Sequence, residues 1–188
     1  MRMLIMGPPG AGKGTQARAI ADRYAIPAIS TGDIFRANVS QGTPLGLEVK
    51  RIMAEGGYVG DDVTNAIVAD RLAEPDAREG FLLDGYPRTL AQVEALDALL
   101  AEQQAALDAV VVLTADTDEL VARLLRRAET DGREDDTEDA IRVRQAKYTE
   151  ETAPLLDVYR QRGLLVEVDG IGTVDEVGQR ILAGLDAR

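Results

Sequence analysis

Residues 7–15 read Gly-Pro-Pro-Gly-Ala-Gly-Lys-Gly-Thr. They follow the apolar run Met3-Leu4-Ile5-Met6 and lead into a stretch where Ala17, Ile20 and Ala21 recur at helical spacing. The order is strand, glycine-rich turn, helix. Glycines let such a turn fold back so that successive N–H groups point inward, and the positive end of the following helix faces the same spot. Pro8 and Pro9 carry no N–H and are expected only to stiffen the entry. The donors are therefore expected from Gly10, Ala11, Gly12, Lys13, Gly14 and Thr15, with the Lys13 ammonium reaching the outer phosphates of a polyphosphate. Gly14 follows the lysine and the hydroxyl comes one residue later, at Thr15. The usual direct hydroxyl ligand to magnesium is thus displaced, and the metal is expected to be held differently.

The rest of the composition narrows the chemistry. The chain has 188 residues, a size for one domain, with no cysteine, no histidine and a net charge of −12. A disulfide framework, a thiolate zinc site and a histidine base are all excluded, so catalysis must use lysine, arginine, carboxylates, hydroxyls and a bound ion. The acidic balance argues against nucleic acid. No apolar run approaches the roughly 18 residues of a membrane span, and the run ending at Met6 is too short for a secretory signal. The basic residues are eighteen arginines and three lysines. Arginine's planar fork grips phosphate bidentately and keeps its charge, although coding bias accounts for much of the total.

Along the chain, Ile26-Pro27-Ala28-Ile29 reads as a short strand, and Ser30-Thr31-Gly32-Asp33 caps a helix through Ile34, Phe35 and Ala37. Pro44 opens a second helix, ended by Gly56-Gly57, and Asp61 or Asp62 a third, through Leu72. Three consecutive helices exceed a simple crossover, so residues 30–60 are expected to form an inserted helical subdomain able to move against the sheet. Gly80-Phe81-Leu82-Leu83-Asp84 is an apolar run ending in a carboxylate, followed by Gly85-Tyr86-Pro87-Arg88. A continuously apolar strand implies a parallel sheet, whose ligands gather at the strands' carboxyl ends. Asp84 is placed there to accept from a magnesium-bound water, and Arg88 to grip a second anion. A helix from Thr89, a buried strand at Ala109-Val110-Val111-Val112-Leu113 and a helix from Asp118 to Arg127 follow. Residues 128–137 are too polar for core and read as a short lid. A long helix from about residue 138 should kink or restart at Pro154. A strand over 164–168 and a helix over 174–185 close the chain. The pattern predicts a doubly wound α/β fold with about five parallel strands.

Residues 7–15, residues 30–33 with Arg36, residues 80–88 with Gln92, and Thr152-Ala153-Pro154-Leu155-Leu156 together resemble adenylate kinase over essentially the whole chain. The resemblance implies a single P-loop nucleoside monophosphate kinase domain over 1–188, with an AMP-binding insertion at 30–60. It implies reversible transfer from Mg·ATP to AMP, giving two ADP. It also implies that Lys13 lies on the β- and γ-phosphates, and that Thr31, Arg36, Gly57, Tyr58, Val59, Gly85, Tyr86, Pro87, Arg88 and Gln92 line the AMP pocket. Arg123 corresponds to the residue that stacks on the ATP adenine, with backbone near Gly172 closing that site. Arg127, Arg133 and Arg144 correspond to the phosphate clamp, the last two also reaching AMP. Asp33 and Asp84 are expected to hold the waters of Mg²⁺. The short lid resembles the form without cysteine-bound zinc, so no zinc is expected. Tyr58 stands where the family commonly has leucine, and Gly60 where it has proline. The expected partners are ATP, AMP and ADP, without nucleic acid or membrane, for a monomer in the cytoplasm.

Rival readings are a pyrimidine monophosphate kinase, a GTP-binding switch and a non-catalytic relative. Thr31 and Gln92 favour adenine over a pyrimidine, since an amide donates and accepts to a purine's N6 and N1 edge. Asp169-Gly170-Ile171-Gly172 matches the Asp-x-x-Gly of switches, but it comes last in the chain and no Asn-Lys-x-Asp motif exists. No expected lysine or arginine is lost. The short lid generates one test. Arg133 is its only basic residue, among Glu129, Asp131, Glu134, Asp135 and Asp136, which would repel phosphate if they faced inward. Arg133→Ala is expected to slow single-turnover phosphoryl transfer on the order of 10²–10³-fold, with Arg133→Lys recovering only part. A rate within a few-fold of wild type would leave the clamp to Arg127 and Arg144.

Overall fold

A computed structural model describes residues 1–131 and 137–188. Five strands, β1 (Arg2–Met6), β2 (Ala28–Ser30), β3 (Phe81–Asp84), β4 (Ala109–Thr114) and β5 (Leu165–Asp169), form one parallel sheet in the order β2-β3-β1-β4-β5. β1 lies at the centre, with Met3 opposite Leu82 on one side and Ala109 on the other. Its residues from Met3 to Met6 are apolar without a break because helices cover both faces. Leu4 and Met6 point to one face, joining Leu83, Val110, Val112, Leu96 and Tyr159. Met3 and Ile5 point to the other, joining Leu82, Val111, Ile20 and Ile181.

The helices are α1 (Lys13–Tyr24), α2 (Thr31–Gln41), α3 (Pro44–Ala54), α4 (Asp61–Leu72), α5 (Leu90–Glu102), α6 (Thr117–Asp131), α7 (Glu138–Lys147), α8 (Leu155–Gln161) and α9 (Val174–Asp186). Local chemistry sets their starts. The side chains of Ser30, Thr43, Thr89, Thr137 and Thr173 each accept from an N–H of the first turn, and Thr173 with Glu176 completes a capping box. α2, α3 and α4 lie consecutively between β2 and β3, and the expected insertion over 30–60 covers α2, α3 and the loop that leads to α4.

Two boundaries differ from the expectation. α6 runs to Asp131, four residues past Arg127, because Ala128 and Glu129 are good helix formers. Of the lid expected over 128–137, residues 128–131 are therefore helical and Thr137 caps α7; residues 132–136, with Arg133, lie outside the described residues. The second is the start of α1, at Lys13 rather than at Gln16. The restart expected at Pro154 is present. α7 passes into a π turn over Tyr148–Thr152, with the Ala153 N–H donating to the Tyr148 carbonyl five residues back at 2.7 Å, and α8 starts after Pro154. Pro154 has no N–H to continue the regular ladder.

Tyr159 is fully buried on α8, and its hydroxyl finds no hydrogen-bond partner among the described residues. Burial pushes that phenol well above its ordinary pKa. Tyr159→Phe removes an uncompensated polar group and is expected to stabilise the fold by about 1 kcal/mol, raising Tm by roughly 2–4 °C. A lower Tm would show that solvent water satisfies the hydroxyl.

Candidate active site

β1 ends in the glycine-rich turn, and α1 begins at Lys13, ahead of the Gln16 at which the helical spacing starts. The first bond of this helix runs from the Gln16 N–H to the Gly12 carbonyl at 3.1 Å. The N–H groups of Lys13, Gly14 and Thr15 thus have no helical carbonyl behind them, which makes the helix start a cradle for an anion. Gly10 is required by the turn: its φ is +88°, and a Cβ there would lie 2.7 Å from the Leu120 carbonyl oxygen. The Ala11 N–H closes the turn onto the Pro8 carbonyl at 3.2 Å, and its methyl is buried in the core.

The prolines do more than stiffen the entry. Lys13 Nζ donates to the carbonyls of Gly7 at 2.8 Å and Pro8 at 3.0 Å, so the ammonium is folded back over the loop. Gln145 on α7 donates from Nε2 to the Pro9 carbonyl at 3.0 Å, tying the loop to a helix 136 residues away. Nothing in the local sequence announces Gln145.

A cleft of about 570 Å³ opens over the loop. Gly10, Gly12, Lys13, Gly14 and Thr15 line one wall, and Asp84, Gly85, Tyr86, Pro87 and Arg88 line it from the end of β3. Asp33, Arg36 and Tyr58 face it from the insertion, and Arg123, Arg127 and Arg144 from α6 and α7. A second cavity of about 70 Å³ is lined by Thr31, Gly57, Val59 and Gln92 together with Arg36, Tyr58, Gly85, Arg88 and Arg144. These last five line both spaces, so the two adjoin. Gly172 lies outside both linings, in the loop after β5; Arg123 reaches that loop, donating from its guanidinium to the Gly170 carbonyl at 3.1 Å.

Lys13, Asp84 and Arg88 are each half-buried where they line this cleft. Burial lowers the Lys13 pKa from 10.5 to about 8; Asp84 opposes the shift, and Arg88, Arg127 and Arg144 add to it. Burial likewise raises the Asp84 carboxyl, against the pull of Lys13 and Arg88, and lowers the Arg88 guanidinium. An anion such as a phosphate beside Lys13 and Arg88 would favour their charged forms. Asp33 forms an ion pair with Arg36 at 2.6 Å.

The smaller cavity is ordered by a polar network. Gln92 is 2% exposed. Its Oε1 accepts from the Arg88 N–H at 2.7 Å and its Nε2 donates to Asp61 Oδ1 at 2.8 Å, an oxygen that also accepts from the Thr89 hydroxyl at 3.0 Å. These bonds decide which way the amide faces and leave it one N–H and one oxygen lone pair to offer. The sequence offers Asp61 only as a helix start; its role in orienting Gln92 comes from α4 and α5 meeting at their N-termini. Thr31, 2% exposed, donates to the Gly85 carbonyl at 3.1 Å. Gly85 has φ +82°, and a Cβ there would lie 2.9 Å from the Thr31 hydroxyl.

A phosphate cradle beside a small polar cavity describes a kinase of small molecules, and comparison with known proteins decides which. A family model of adenylate kinase matches residues 5–164. The chain belongs to the adenylate kinase family. It is 64% identical over 186 residues to an adenylate kinase of a Nocardioides species, covering 99% of this chain and 97% of that one. It is 61% identical to the adenylate kinase of Leifsonia xyli, covering 99% and 94%, and 53% identical to that of Thermobifida fusca over the whole of both chains. Adenylate kinases transfer a phosphoryl group reversibly between ATP and AMP, giving two ADP, and this chain is an enzyme of that kind.

The half-buried Lys13 gives this adenylate kinase a pH signature. The folded state releases the Lys13 proton near pH 8, whereas the unfolded chain holds it to about 10.5. Between those values the unfolded state binds more protons, so the Lys13 contribution to stability rises with pH through that window. Below it, the charge carries its full desolvation cost. Ligand-free wild type is therefore expected to gain stability relative to Lys13→Gln between about pH 8 and 10.5, followed by denaturant unfolding. A flat difference curve would place the Lys13 ammonium in solvent.

Proposed function

We propose that the large cleft holds Mg·ATP, that the small cavity holds the adenine of AMP, and that the phosphoryl group passes between them in the space that the two share. The observation carrying this reading is that Arg88 and Arg144 line both spaces while Lys13 lines the large one only. The N–H groups of the loop and Lys13 take the β- and γ-phosphates, and Arg123 with the loop through Gly172 takes the ATP adenine. Arg36 and Arg88 take the AMP phosphate, while Arg127, Arg144 and Arg133 gather on the transferring group. Thr31, Gly57, Val59, Gly85 and Gln92 enclose the AMP base, Tyr58 lines the same cavity beside the Arg88 guanidinium, and Tyr86 and Pro87 hold the turn that carries Arg88.

Little covalent chemistry is required of the protein. Catalysis comes from aligning donor and acceptor oxygens in line and from neutralising charge spread over the phosphoryl oxygens, so a chain without histidine suffices. Mg²⁺ enters as part of the nucleotide. Among the described residues no group of three or more carboxylates is gathered as a direct ligand set. Asp33 and Asp84 both line the cleft, and two carboxylates beside a phosphate cradle suit an ion that keeps several waters. They would accept from those waters, and the ion would supply charge stabilisation to the phosphates.

The amide of Gln92 retains one donor and one acceptor, the pair that adenine's N1 and N6 require. Purified protein given Mg²⁺ and ADP alone is expected to form ATP and AMP in equal amounts, and no conversion would overturn the assignment. Gln92→Leu is expected to cost about 1–3 kcal/mol in kcat/KM for AMP while leaving the KM for ATP unchanged. Equal losses for both nucleotides would remove Gln92 from base selection.

A further inference from the structure

Tyr58 lies in the loop joining α3 to α4, far in sequence from the residues it touches. Its ring centre is 4.9 Å from the guanidinium carbon of Arg88 and 5.4 Å from Lys147 Nζ. Its hydroxyl is 3.1 Å from the Thr152 hydroxyl, which itself lies 2.9 Å from the Arg88 carbonyl. A carbonyl only accepts, so the single hydroxyl hydrogen of Thr152 goes to Arg88, and Tyr58 must be the donor to Thr152. One tyrosine thus reaches residue 88 twice: through its ring to the side chain, and through the Thr152 hydroxyl to the main chain.

Arg88 has need of such support. It is half-buried and lines both cavities, and its Nε donates to the Gly85 carbonyl at 2.7 Å, which fixes the stem of the side chain. A guanidinium over an aromatic face is attracted by the ring quadrupole, more strongly where water is excluded. The π turn matters too, because it is the element that carries Thr152 to the Arg88 carbonyl.

We propose that Tyr58 is the positioning residue of Arg88, its ring and its hydroxyl chain through Thr152 holding the guanidinium where the acceptor's phosphate meets it. This rests on the reading that Arg88 grips the phosphate of AMP. Tyr58 lies between α3 and α4 and Arg88 at the end of β3, so this support of the guanidinium lasts only while those two segments touch.

The test is the affinity for AMP alone, measured by titration calorimetry, together with KM for both nucleotides and Tm. Tyr58→Leu is expected to weaken AMP about three- to thirty-fold, with the KM for ATP and the Tm close to wild type. Tyr58→Phe, which keeps the ring and loses only the hydroxyl, should recover most of the loss. Arg88→Ala should weaken AMP strongly, and adding Tyr58→Leu to it should change the affinity by less than about two-fold, because the tyrosine has nothing left to position. Should leucine not be tolerated, Tyr58→Met serves the same cycle. Equal losses from the tyrosine substitution in both backgrounds would show that Tyr58 acts on AMP directly or through the fold, and would overturn the inference. So would an unchanged affinity in Tyr58→Leu alone. If Arg88→Ala itself leaves AMP binding unchanged, the reading of Arg88 falls first and the inference falls with it.

Discussion

Positive charge drawn partly out of water is the constraint on which the rest of this structure depends. Lys13 and Arg88 are both half-buried at one end of the sheet, where each loses solvation, and Asp84 is the half-buried carboxylate that opposes them. An isolated charge in such a place is costly, so each is propped by carbonyl oxygens: Lys13 by those of Gly7 and Pro8, Arg88 by that of Gly85. Carbonyls orient a cation without neutralising it. In the proposed function the neutralising charge is supplied by the phosphates of the substrates, and a site arranged before they arrive needs little reorganisation during transfer.

The sheet explains why these groups can meet. In a parallel sheet all strands end on the same side, so the loop after β1 and the turn after β3 are neighbours because β1 pairs with β3. Ile5 lies opposite Asp84 in that ladder, which brings the carboxylate beside the phosphate loop. β4 on the other flank of β1 leads into α6, the source of Arg123 and Arg127, and α7 adds Arg144 from the adjoining segment. The insertion between β2 and β3 then covers the opposite wall. Substrate-sized space is the gap left between elements that are individually well packed.

Features that depend on a few neighbouring residues were legible in the chain. The glycine-rich turn, the apolar strands, the capping residues and Pro44 at a helix start all follow from local dihedral preferences and periodicity, and the helices and strands lie where those signals put them. Boundaries set by weaker signals drifted: α6 continued through residues whose own propensity is helical, and α1 began inside the turn. The partners of the site residues were not legible. Asp61 reads as a helix start, Gln145 as one polar residue on an amphipathic helix, and Thr152 as part of a motif without a stated role. Each acquires its function from a contact across the fold, with Gln92, Pro9 and Arg88 respectively.

The amino-acid sequence by itself determined the doubly wound α/β class, the phosphate-binding loop, the family, and the roster of lysine and arginine side chains available to a site without histidine. Those are local properties, or properties of several short blocks in a given order, and need no knowledge of what packs against what. Only the tertiary structure decided the strand order β2-β3-β1-β4-β5, the facing of the Gln92 amide, and the support of Arg88 by Tyr58 and Thr152. Hydrogen bonds between residues 31, 64 or 94 positions apart are made by side chains whose geometry is set by the packing of whole helices and strands, and no local pattern encodes it.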